Sequence, residues 1–479
     1  MLPQTDLIKK AINFIEKAHQ GKTWINGEPY INHCLEVAGT IFSWRLDEAS
    51  IVAGLLHNIT QDSRFKLEDI KKEFGEEISI LIGSIDKLGK IKYREIPAQI
   101  ENLRNLLLAL SKDLRVVLIK LADRWHIMKT LATLPSEEQK KIALETTEIY
   151  APLAYRLGMH QLSGELEDLA FPHLYPKEYQ WLQSTFQELY RERQKYLEKV
   201  RLILTQELKT NNISLLKIES RIKRYSSLYK KLQKYNLDIE KIHDLVALRV
   251  IVSSIEECYA VLGIIHKLWP PVPGRIKDYI ALPKPNGYRS LHTDVFCFDD
   301  KIIEIQIRTK QMHEEAEYGV AAYWTYQAAK KTKLYKKGMA TFASPKDQIL
   351  SQQLRAWQKE LPDSKEFLKA LKIDFFKDRI FAITPKGEVV DLPLGATPVD
   401  FAYAIHSQIG NQCVGAKVND KIVPLSYKLQ SGDLVKILTQ KNKKPSESWL
   451  KFVKTTTARV YIKKALRASK TSFLKRRDL

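Results

Sequence analysis

A short segment of the chain, residues 274–292, combines basic side chains with an aromatic residue on a turn. Its cations include Arg275 and Lys284, and the Asn-Gly pair at 286–287 is a strong turn signal. Tyr288 follows that turn directly. Guanidinium and ammonium groups bind phosphates, and an aromatic ring held on a turn can stack on a nucleobase. The segment therefore either binds a nucleotide or is an ordinary basic surface loop, which is the commoner case for this composition.

Two strands that the pattern predicts around this segment would bring carboxylates beside it. Residues 303–308 alternate strictly between apolar and polar side chains, which is typical of a half-buried strand, and Glu304 lies on the polar face. Residues 245–252 are mostly apolar, which is typical of a more fully buried strand, and Asp244 precedes them. Because Mg²⁺ prefers one or two carboxylates together with substrate phosphates, the two acids form a candidate site for Mg²⁺ and a nucleoside triphosphate.

Several long motifs within residues 221–325 resemble the synthetase domain of the RelA/SpoT homologue family, which makes the alarmone (p)ppGpp. The resemblance is specific because the motifs are long and follow the family's order, and it extends over nearly the whole chain. The motifs are RIKRYSSLYKK at 221–231, HDLVALRVIV at 243–252, the basic segment itself with SLHT at 290–293, EIQIRT at 304–309 and MHEEAEYGVAAYW at 312–324.

The resemblance implies an enzyme that transfers the β,γ-pyrophosphate of ATP to the 3′-hydroxyl of GTP or GDP and releases AMP. Asp244 would hold Mg²⁺ on the phosphates of ATP, Glu304 would activate the 3′-hydroxyl as general base or second Mg²⁺ contact, and Arg275 would contact the phosphates in transfer. For ATP, the resemblance implies Arg221 and Arg249 on the two faces of adenine, and Lys223, Ser227 and Lys231 along the phosphates. For GTP, it implies Tyr288 stacked on guanine, and Lys284, His292 and Gln306 around the acceptor nucleotide.

One detail of this region indicates the type of synthetase, and another leaves a second class of function open. The Arg-x-Lys-Asp form at 275–278 is the version found in family members with two activities. Tyr323 stands where the family usually has histidine. A folded but catalytically silent regulator that associates with RNA or the ribosome is therefore the alternative to a synthetase, and incubation with ATP, GTP and Mg²⁺ distinguishes them because a pure binder forms no AMP.

The first 200 residues show apolar side chains at helical spacing, for example in 8–18 and 116–121, and are predicted to be mostly helical. Histidines and carboxylates on neighbouring helices could converge there on one divalent ion, with His33, His57 and Asp123 as candidates. A lone histidine is more often an ordinary helix residue. The order of these segments resembles the HD hydrolase domain of the same family, which removes the 3′-pyrophosphate of (p)ppGpp with Mn²⁺.

The chain departs from that hydrolase pattern at four positions of one pocket. Neutral Asn58 follows His57 where the family has the aspartate that names the domain, and it is a weaker ligand for Mn²⁺. These departures predict a retained fold with lost hydrolysis and a doubtful Mn²⁺ site; a working hydrolase with an altered metal site is the alternative. The other departures are Gln61 before Asp62 in place of a Glu-Asp pair, Trp24 in place of an arginine, and Ile127 in place of an asparagine.

The composition changes again after residue 379. The pattern predicts a hairpin over 381–393 with a Pro-Lys-Gly turn, an amphipathic helix over 396–409, and short strands at 414–418, 421–424 and 434–438. This β-grasp-like unit resembles a TGS domain, which in the family senses the tRNA acceptor end. His406 is accordingly a candidate RNA contact, although a surface histidine without a role is nearly as common. The tail from 441 carries thirteen Lys and Arg against two acids and resembles the start of a basic helical region.

Composition sets limits on the whole chain. Its 479 residues suggest three or four domains, and 77 Lys and Arg against 56 Asp and Glu give a net charge of +21, which favours anionic partners such as nucleotides and RNA. The sequence contains no run of about 18 apolar residues, so no membrane span is predicted. The four cysteines are scattered without a CxxC motif, which fits a reducing cytoplasm, so a cytoplasmic location is expected.

The sequence thus predicts a multidomain α and α+β protein. Its parts are a helical HD-type domain, a mixed-sheet nucleotidyltransferase-like synthetase domain and a small β-grasp TGS domain. Expected partners are ATP, GTP or GDP with Mg²⁺, and uncharged tRNA and the ribosome through the TGS domain and the tail, with no membrane. The predicted boundaries are 1–160 for the hydrolase-like domain, 161–220 for a helical linker, 221–340 for the synthetase domain, 341–377 for a connector, 378–440 for the TGS domain and 441–479 for the basic helical region.

Overall fold

A computed structural model describes residues 2–89, 113–239, 242, 245–284, 287–298, 301–321 and 379–474. Asp244, Tyr323, the predicted connector and the side chain of Asp62 lie outside the described part. The backbone contacts divide the chain into two units, residues 1–92 with 105–348 and residues 93–104 with 349–479.

The first unit begins with a bundle of short helices, as the spacing of its apolar residues predicts. In the first helix, Ile8, Ala11 and Ile15 recur at helical spacing and are buried, and Thr5 caps its N-terminus by accepting a hydrogen bond from the Ile8 amide. The helices are α1 (Asp6–Ala18), α2 (Tyr30–Ser43), α3 (Glu48–Leu55), α4 (Ile59–Asp62), α5 (Leu67–Phe74), α6 (Glu76–Gly89), α7 (Leu114–Thr130), α8 (Ser136–Glu145), α9 (Ala151–Arg156) and α10 (His160–Leu174).

A buried arginine joins three of these helices. Arg115, near the start of α7, is 3% exposed and lies 2.7 Å from Asp113, 3.1 Å from Asp47 and 2.6 Å from Glu77. Asp47 precedes α3 and Glu77 lies in α6, so the guanidinium connects elements that are distant in sequence. A buried cation is tolerated only when it is paired in this way.

A five-stranded mixed sheet follows the bundle in the same unit. Its strand order is β1-β2-β5-β4-β3, in which only β2 and β5 pair in parallel. The sheet begins inside the range predicted as a helical linker, because the strand β1 there pairs with β2 from its first residues. The elements are α11 (Pro176–Thr210), β1 (Leu215–Ile222), α12 (Tyr225–Lys234), β2 (Val246–Val252), α13 (Ile255–Leu268), β3 (Lys277–Asp278), β4 (Leu291–Phe296), β5 (Ile302–Thr309) and α14 (Lys310–Tyr318).

The two faces of this sheet differ in character. The alternation predicted for 303–308 is present, since Ile303, Ile305 and Ile307 are fully buried in one core with side chains of α11, α12 and α13. The opposite face is polar, because register places Gln306 between Arg249 of β2 and His292 of β4. A two-residue period therefore separates the core from the polar surface on which chemistry can occur.

The second unit contains a hairpin, a three-stranded sheet and the chain that follows them. The predicted hairpin is present, but the predicted helix over 396–409 is two helices, because His406 has extended backbone and its ring Nδ1 accepts a hydrogen bond from the Gln408 amide at the start of the second. The elements are β6 (Arg379–Ile383), β7 (Val389–Pro393), α15 (Pro398–Ile405), α16 (Ser407–Asn411), β8 (Cys413–Val418), β9 (Lys421–Val423), β10 (Val435–Thr439), a 3₁₀ turn (Glu447–Lys451) and α17 (Thr456–Leu474).

The chain beyond the predicted boundary at residue 440 packs against the TGS-like unit. Trp449 and Ile462 are buried in one apolar cluster with Val399 and Tyr403 of α15. The segment after β10 therefore folds onto the TGS-like unit, because its apolar residues find their core there.

Among the helices of the described ranges, none combines the length and apolar character that crossing a bilayer requires.

Candidate active sites

The polar face of the five-stranded sheet borders a cavity of about 230 Å³. Arg221 of β1 and Arg249 of β2, predicted to hold adenine, line the same cavity as Tyr288, predicted to hold guanine. Arg308 of β5 and His160, the first residue of α10, also line this cavity. The helical bundle therefore contributes to the cavity through α10, which the sequence did not indicate because His160 lies 61 residues before Arg221, where the motifs begin.

Carboxylates balance part of the positive charge in this cavity. The Nη1 group of Arg249 donates to Glu219 Oε2 and to Glu317 Oε1, each at 3.2 Å. Arg308 is 1% exposed, and its Nη2 atom lies 3.9 Å from Glu317 Oε1. Burial, reinforced by neighbouring Arg249, lowers the pKa of Arg308 to about 10, so the guanidinium remains charged at neutral pH.

A chain of hydrogen bonds links Tyr288 to the predicted catalytic carboxylate. The hydroxyl of Tyr288 lies 2.8 Å from His292 Nε2, and His292 Nδ1 lies 2.8 Å from Glu304 Oε1. Burial lowers the pKa of His292, although Glu304 opposes the shift, so the imidazole is neutral near pH 7. A neutral ring donates from Nδ1 to Glu304 and accepts at Nε2 from Tyr288, which fixes the orientation of the carboxylate.

The turn that carries these side chains is held by its own sequence. Asp278 Oδ1 accepts hydrogen bonds from the amides of Ile280 at 2.9 Å and Ala281 at 2.8 Å. The ammonium of Lys284 lies 4.6 Å from the ring centre of Tyr279 and 5.1 Å from that of Tyr288. Burial lowers the pKa of Lys284, and the two rings partly replace the water that this cation has lost.

A second carboxylate beside Glu304 was missed from the sequence. Asp294 of β4 lies directly opposite Glu304 of β5, and its Oδ2 accepts from Arg275 Nη1 at 3.2 Å. Burial raises the pKa of Asp294, although Arg275 opposes the shift. The alternation of apolar and polar residues in 291–296 was the available signal, but only strand register shows that the two acids are neighbours.

The remaining predicted ATP contacts lie elsewhere. Ser227 and Lys231 are four residues apart on α12, so they share one face of that helix, and Lys223 follows β1. None of the three lines the cavity. Their role with the ATP phosphates, like that of Asp244 with Mg²⁺, remains a prediction.

The helical bundle contains a second site in which the predicted triad converges. His33 of α2, His57 and Asp123 of α7 offer ligand atoms that all lie within 4.8 Å of one another, and all three residues are buried. His33 Nε2 is 3.1 Å from His57 Nε2 and 3.5 Å from Asp123 Oδ1. Asp123 Oδ1 is buried without a hydrogen-bond partner, which is costly unless a cation occupies the centre of the cluster.

Neighbouring groups prepare this triad for a cation. His57 Nδ1 donates to the carbonyl oxygen of Gly54 at 2.7 Å, which leaves Nε2 as the ligand atom. Burial, with His57 as the next cause, lowers the pKa of His33 to about 2, so this ring is neutral. Burial alone would raise the pKa of Asp123, but Lys120 and the two histidines hold it well below its usual value. Two imidazoles and a carboxylate fit a divalent metal ion.

The positions that depart from the hydrolase pattern have other contacts. Trp24 stacks flat on His33 with ring centres 3.7 Å apart, and its indole N–H donates to Thr130 at 3.3 Å. Asn58 donates to the hydroxyl of Tyr30 at 3.1 Å. Ile127 is half-buried on α7. These side chains therefore pack or pair within the protein.

Two polar residues of this pocket were not identified from the sequence. His126 Nδ1 lies 2.8 Å from His33 Nδ1, and its position three residues after Asp123 on one helix was a usable signal. Asp86 Oδ1 accepts a hydrogen bond from the side chain of Gln61 at 3.1 Å, and no local pattern indicates that contact.

In the second unit, His406 is exposed between α15 and α16. Its ring caps α16, so one nitrogen has an intramolecular partner. The assignment as an RNA contact remains a prediction.

Models of three protein families match the chain in this order. The HD domain matches residues 11–160, the region found in RelA / SpoT proteins matches 220–331, and the TGS domain matches 380–439. The fold and sites thus define a protein that joins an HD-type helical domain, an alarmone-synthetase-type sheet domain and a TGS domain.

Three similar proteins match nearly the whole chain. The GTP pyrophosphokinase of Myxococcus xanthus is 45% identical over 96% of this chain and 60% of its own length. The guanosine-3′,5′-bis(diphosphate) 3′-pyrophosphohydrolase of Aquifex aeolicus is 44% identical over 96% of this chain and 64% of its own length. The bifunctional (p)ppGpp synthase/hydrolase SpoT of Escherichia coli K12 is 40% identical over 97% of this chain and 66% of its own length.

The chain belongs to the RelA/SpoT family. It spans between 60% and 66% of the length of these three relatives, whose names include both a synthetase and a hydrolase.

Proposed function

We propose that this chain is a GTP pyrophosphokinase, which transfers pyrophosphate from ATP to the 3′-hydroxyl of GTP or GDP and yields (p)ppGpp and AMP. The observation that carries this proposal is the hydrogen-bonded series Tyr288, His292 and Glu304, which connects an aromatic ring that lines the cationic cavity to the predicted catalytic carboxylate. Relatives named GTP pyrophosphokinase support the same reaction.

The roles of the side chains follow from their positions. Glu304 accepts the proton of the attacking 3′-hydroxyl, and His292 orients this carboxylate through its contact with Oε1. Arg275, paired with Asp294 at the neighbouring strand, is placed to contact the phosphates in transfer. Asp244 and Glu304 would hold Mg²⁺, which supplies positive charge to the phosphates when bound.

Binding of two nucleotides requires the cavity to widen. Its volume of about 230 Å³ is below the roughly 300–1,000 Å³ of common ligand pockets. Arg221 and Arg249 would stack on adenine and Tyr288 on guanine, so the two bases would share one cavity. Lys284 is the side chain placed to leave the Tyr288 ring and meet the acceptor nucleotide, because it now lies against that ring.

The test is AMP formation from ATP and GTP with Mg²⁺ by the purified chain and two variants. Glu304→Gln and Asp244→Asn are expected to lower the rate at least about 100-fold while thermal unfolding stays unchanged, since base and metal roles carry factors of that size. A variant that retains more than about a tenth of the wild-type rate would remove its residue from the mechanism. Binding of both nucleotides without any AMP would instead support the silent regulator.

We further propose that hydrolysis of (p)ppGpp is lost while the HD-type fold and a weakened metal site persist. His33, His57 and Asp123 would hold a divalent ion such as Mn²⁺, which would activate water when bound. The support is that Asn58 supplies an amide in place of a second acid, and that Gln61 is engaged with Asp86. Release of pyrophosphate from ppGpp with Mn²⁺ and no ATP is expected to be absent; steady GDP formation would establish the bifunctional alternative.

The TGS-like unit and the segment after it are the proposed contacts with uncharged tRNA and the ribosome. The basic residues of α17, such as Arg459 and Lys463, lie on a helix that packs against α15. Phosphate contacts of this kind weaken with salt, so tRNA binding by the chain should fall steeply between low and high ionic strength. Salt-independent binding would exclude this surface.

A further inference from the structure

Arginine is an unusual residue at a fully buried position such as 308. Arg308 is 1% exposed, the largest of the fully buried side chains in the described part of the chain, and its Nε and Nη2 atoms have no hydrogen-bond partner there. The nearest acid, Glu317, is 3.9 Å away and already accepts from Arg249 at 3.2 Å. A buried guanidinium with unpaired N–H groups is costly, so the position favours a ligand that accepts hydrogen bonds.

The surroundings of Arg308 restrict the kind of ligand. Arg308 lines the same cavity as Tyr288, whose ring is the proposed stacking surface for the acceptor base. Gln306, two residues earlier on the same face of β5, has a buried side-chain oxygen that also lacks a hydrogen-bond partner. The unsatisfied groups on this face of β5 are thus N–H donors and an acceptor, a combination that matches the edge of a nucleobase, and the donors of Arg308 belong to the cavity that Tyr288 also lines.

A phosphate fits this corner less well. Glu219 and Glu317 line the same cavity, and both are held close by Arg249, so a phosphate entering there would face two carboxylates. A neutral base edge carries no such penalty.

Guanine and adenine differ at the edge that an arginine reads. Guanine presents two adjacent acceptors, O6 and N7, which a guanidinium contacts with two parallel N–H groups. Adenine presents an amino donor at position 6, which would face the N–H donors of arginine. We propose that Arg308 contacts O6 and N7 of the acceptor base stacked on Tyr288 and thereby selects guanine over adenine.

This inference rests on the proposed function, and 7-deaza-GTP tests it because that analogue replaces the N7 acceptor with a C–H group. Binding of GTP and 7-deaza-GTP is measured without ATP for the wild-type chain and Arg308→Met. The wild-type chain is expected to bind 7-deaza-GTP about tenfold more weakly than GTP. Arg308→Met should bind GTP about tenfold more weakly and should no longer distinguish the two nucleotides.

Arg224→Met is the matched control, since Arg224 lines the same cavity but lies 3.7 Å from Glu165 and packs on Gly164. It removes one positive charge from the cavity and should keep the wild-type ratio of the two affinities. Arg308→Lys keeps the charge without the planar fork, and it should lose most of the discrimination while remaining folded. If Arg308→Met does not fold, as thermal unfolding would show, the lysine variant decides the result.

The outcomes separate the inference from the proposed function. If both Arg308 variants keep the wild-type ratio of affinities for GTP and 7-deaza-GTP, the inference is overturned but the proposed function is not. An equal loss of affinity for both nucleotides with the ratio unchanged also overturns it, because the guanidinium would then contact phosphate or support the fold. A wild-type chain that binds neither nucleotide contradicts the proposed function itself, and with it the inference.

Discussion

At the scale of single residues, Tyr288 has contacts on several sides. Its hydroxyl meets His292, the Lys284 ammonium lies 5.1 Å from its ring centre, and the His160 ring meets it edge-on at 5.4 Å. A base can use the Tyr288 ring for stacking only after at least one of these neighbours moves aside. The measured affinity for the acceptor nucleotide therefore reflects the free energy gained by stacking less the free energy of the contacts that are lost.

Tyr288 variants separate stacking from hydrogen bonding. Tyr288→Ala should weaken GTP binding by about 1–3 kcal/mol, the usual contribution of an aromatic–base stack. Tyr288→Phe keeps the ring and loses the hydroxyl that donates to His292, so GTP affinity should stay near the wild-type value while the rate of AMP formation falls. Calorimetric titration and the AMP assay measure the two effects, and equal GTP affinity in the alanine variant would exclude stacking.

The metal triad of the helical bundle allows a stepwise restoration. Asn58→Asp alone should raise Mn²⁺ affinity more than it restores ppGpp hydrolysis, because a carboxylate adds a ligand and a negative charge. Turnover should also require Gln61→Glu, together with the family residues at positions 24 and 127. Gln61→Glu places a second carboxylate beside Asp86, so the double variant should be less stable than the single one.

Mn²⁺ titration followed by spin resonance measures the first effect without relying on activity, and chromatography of ppGpp measures the second. Asp123→Asn in the Asn58→Asp background is the control and should abolish binding. Full hydrolysis by Asn58→Asp alone would show that Gln61 has no part in the loss.

At the scale of elements, the end of α14 and the turn before α10 meet through their backbones. Gly319 adopts φ of 55°, and a Cβ added there would lie 2.3 Å from the carbonyl oxygen of Leu157. The next amide, that of Val320, donates to the same oxygen at 2.9 Å. This contact places His160, which follows the turn, against the cavity.

Gly319→Ala should lower the free energy of unfolding by about 2 kcal/mol or more, because the new methyl group meets backbone atoms and the left-handed conformation disfavours alanine. Gly263→Ala is the matched control. Gly263 lies exposed inside α13 with no atom within 4 Å of an added Cβ, so alanine should stabilise by about 0.5–1 kcal/mol. Denaturant unfolding measures both, and an unchanged midpoint in Gly319→Ala would mean that the contact relaxes without cost.

At the scale of the whole molecule, one buried carboxylate of the second unit connects its first helix to the segment that follows its sheet. Asp400 is fully buried and caps its own helix at Thr397. Its Oδ1 also accepts from the Lys454 amide at 3.0 Å and the Thr455 amide at 2.7 Å, and so links α15 to the chain that follows the TGS-like sheet. The basic tail therefore begins from a fixed point on that unit.

Asp400→Asn should destabilise this unit by about 1–3 kcal/mol, because an amide N–H₂ group would face backbone donors. Amide hydrogen exchange over 453–466 should accelerate, whereas exchange in β2 and β5 should not. Asp420→Asn is the control, since Asp420 is exposed at φ of 63°, a conformation that asparagine tolerates. Unchanged exchange over 453–466 in Asp400→Asn would show that apolar packing alone holds the segment.

The sequence by itself indicated the order of the three domains, the strands predicted at 245–252 and 303–308, and His33, His57 and Asp123 as candidates for one metal site. Apolar periodicity and long motifs are local, so they can be recognised without knowing what packs against them. The tertiary structure decided which polar groups are neighbours. Asp294 lies beside Glu304 through strand register, and Arg308 is left with unpaired donors through its burial in the cavity. These relations depend on elements distant in the chain, because burial and the choice of hydrogen-bond partner belong to the packed protein.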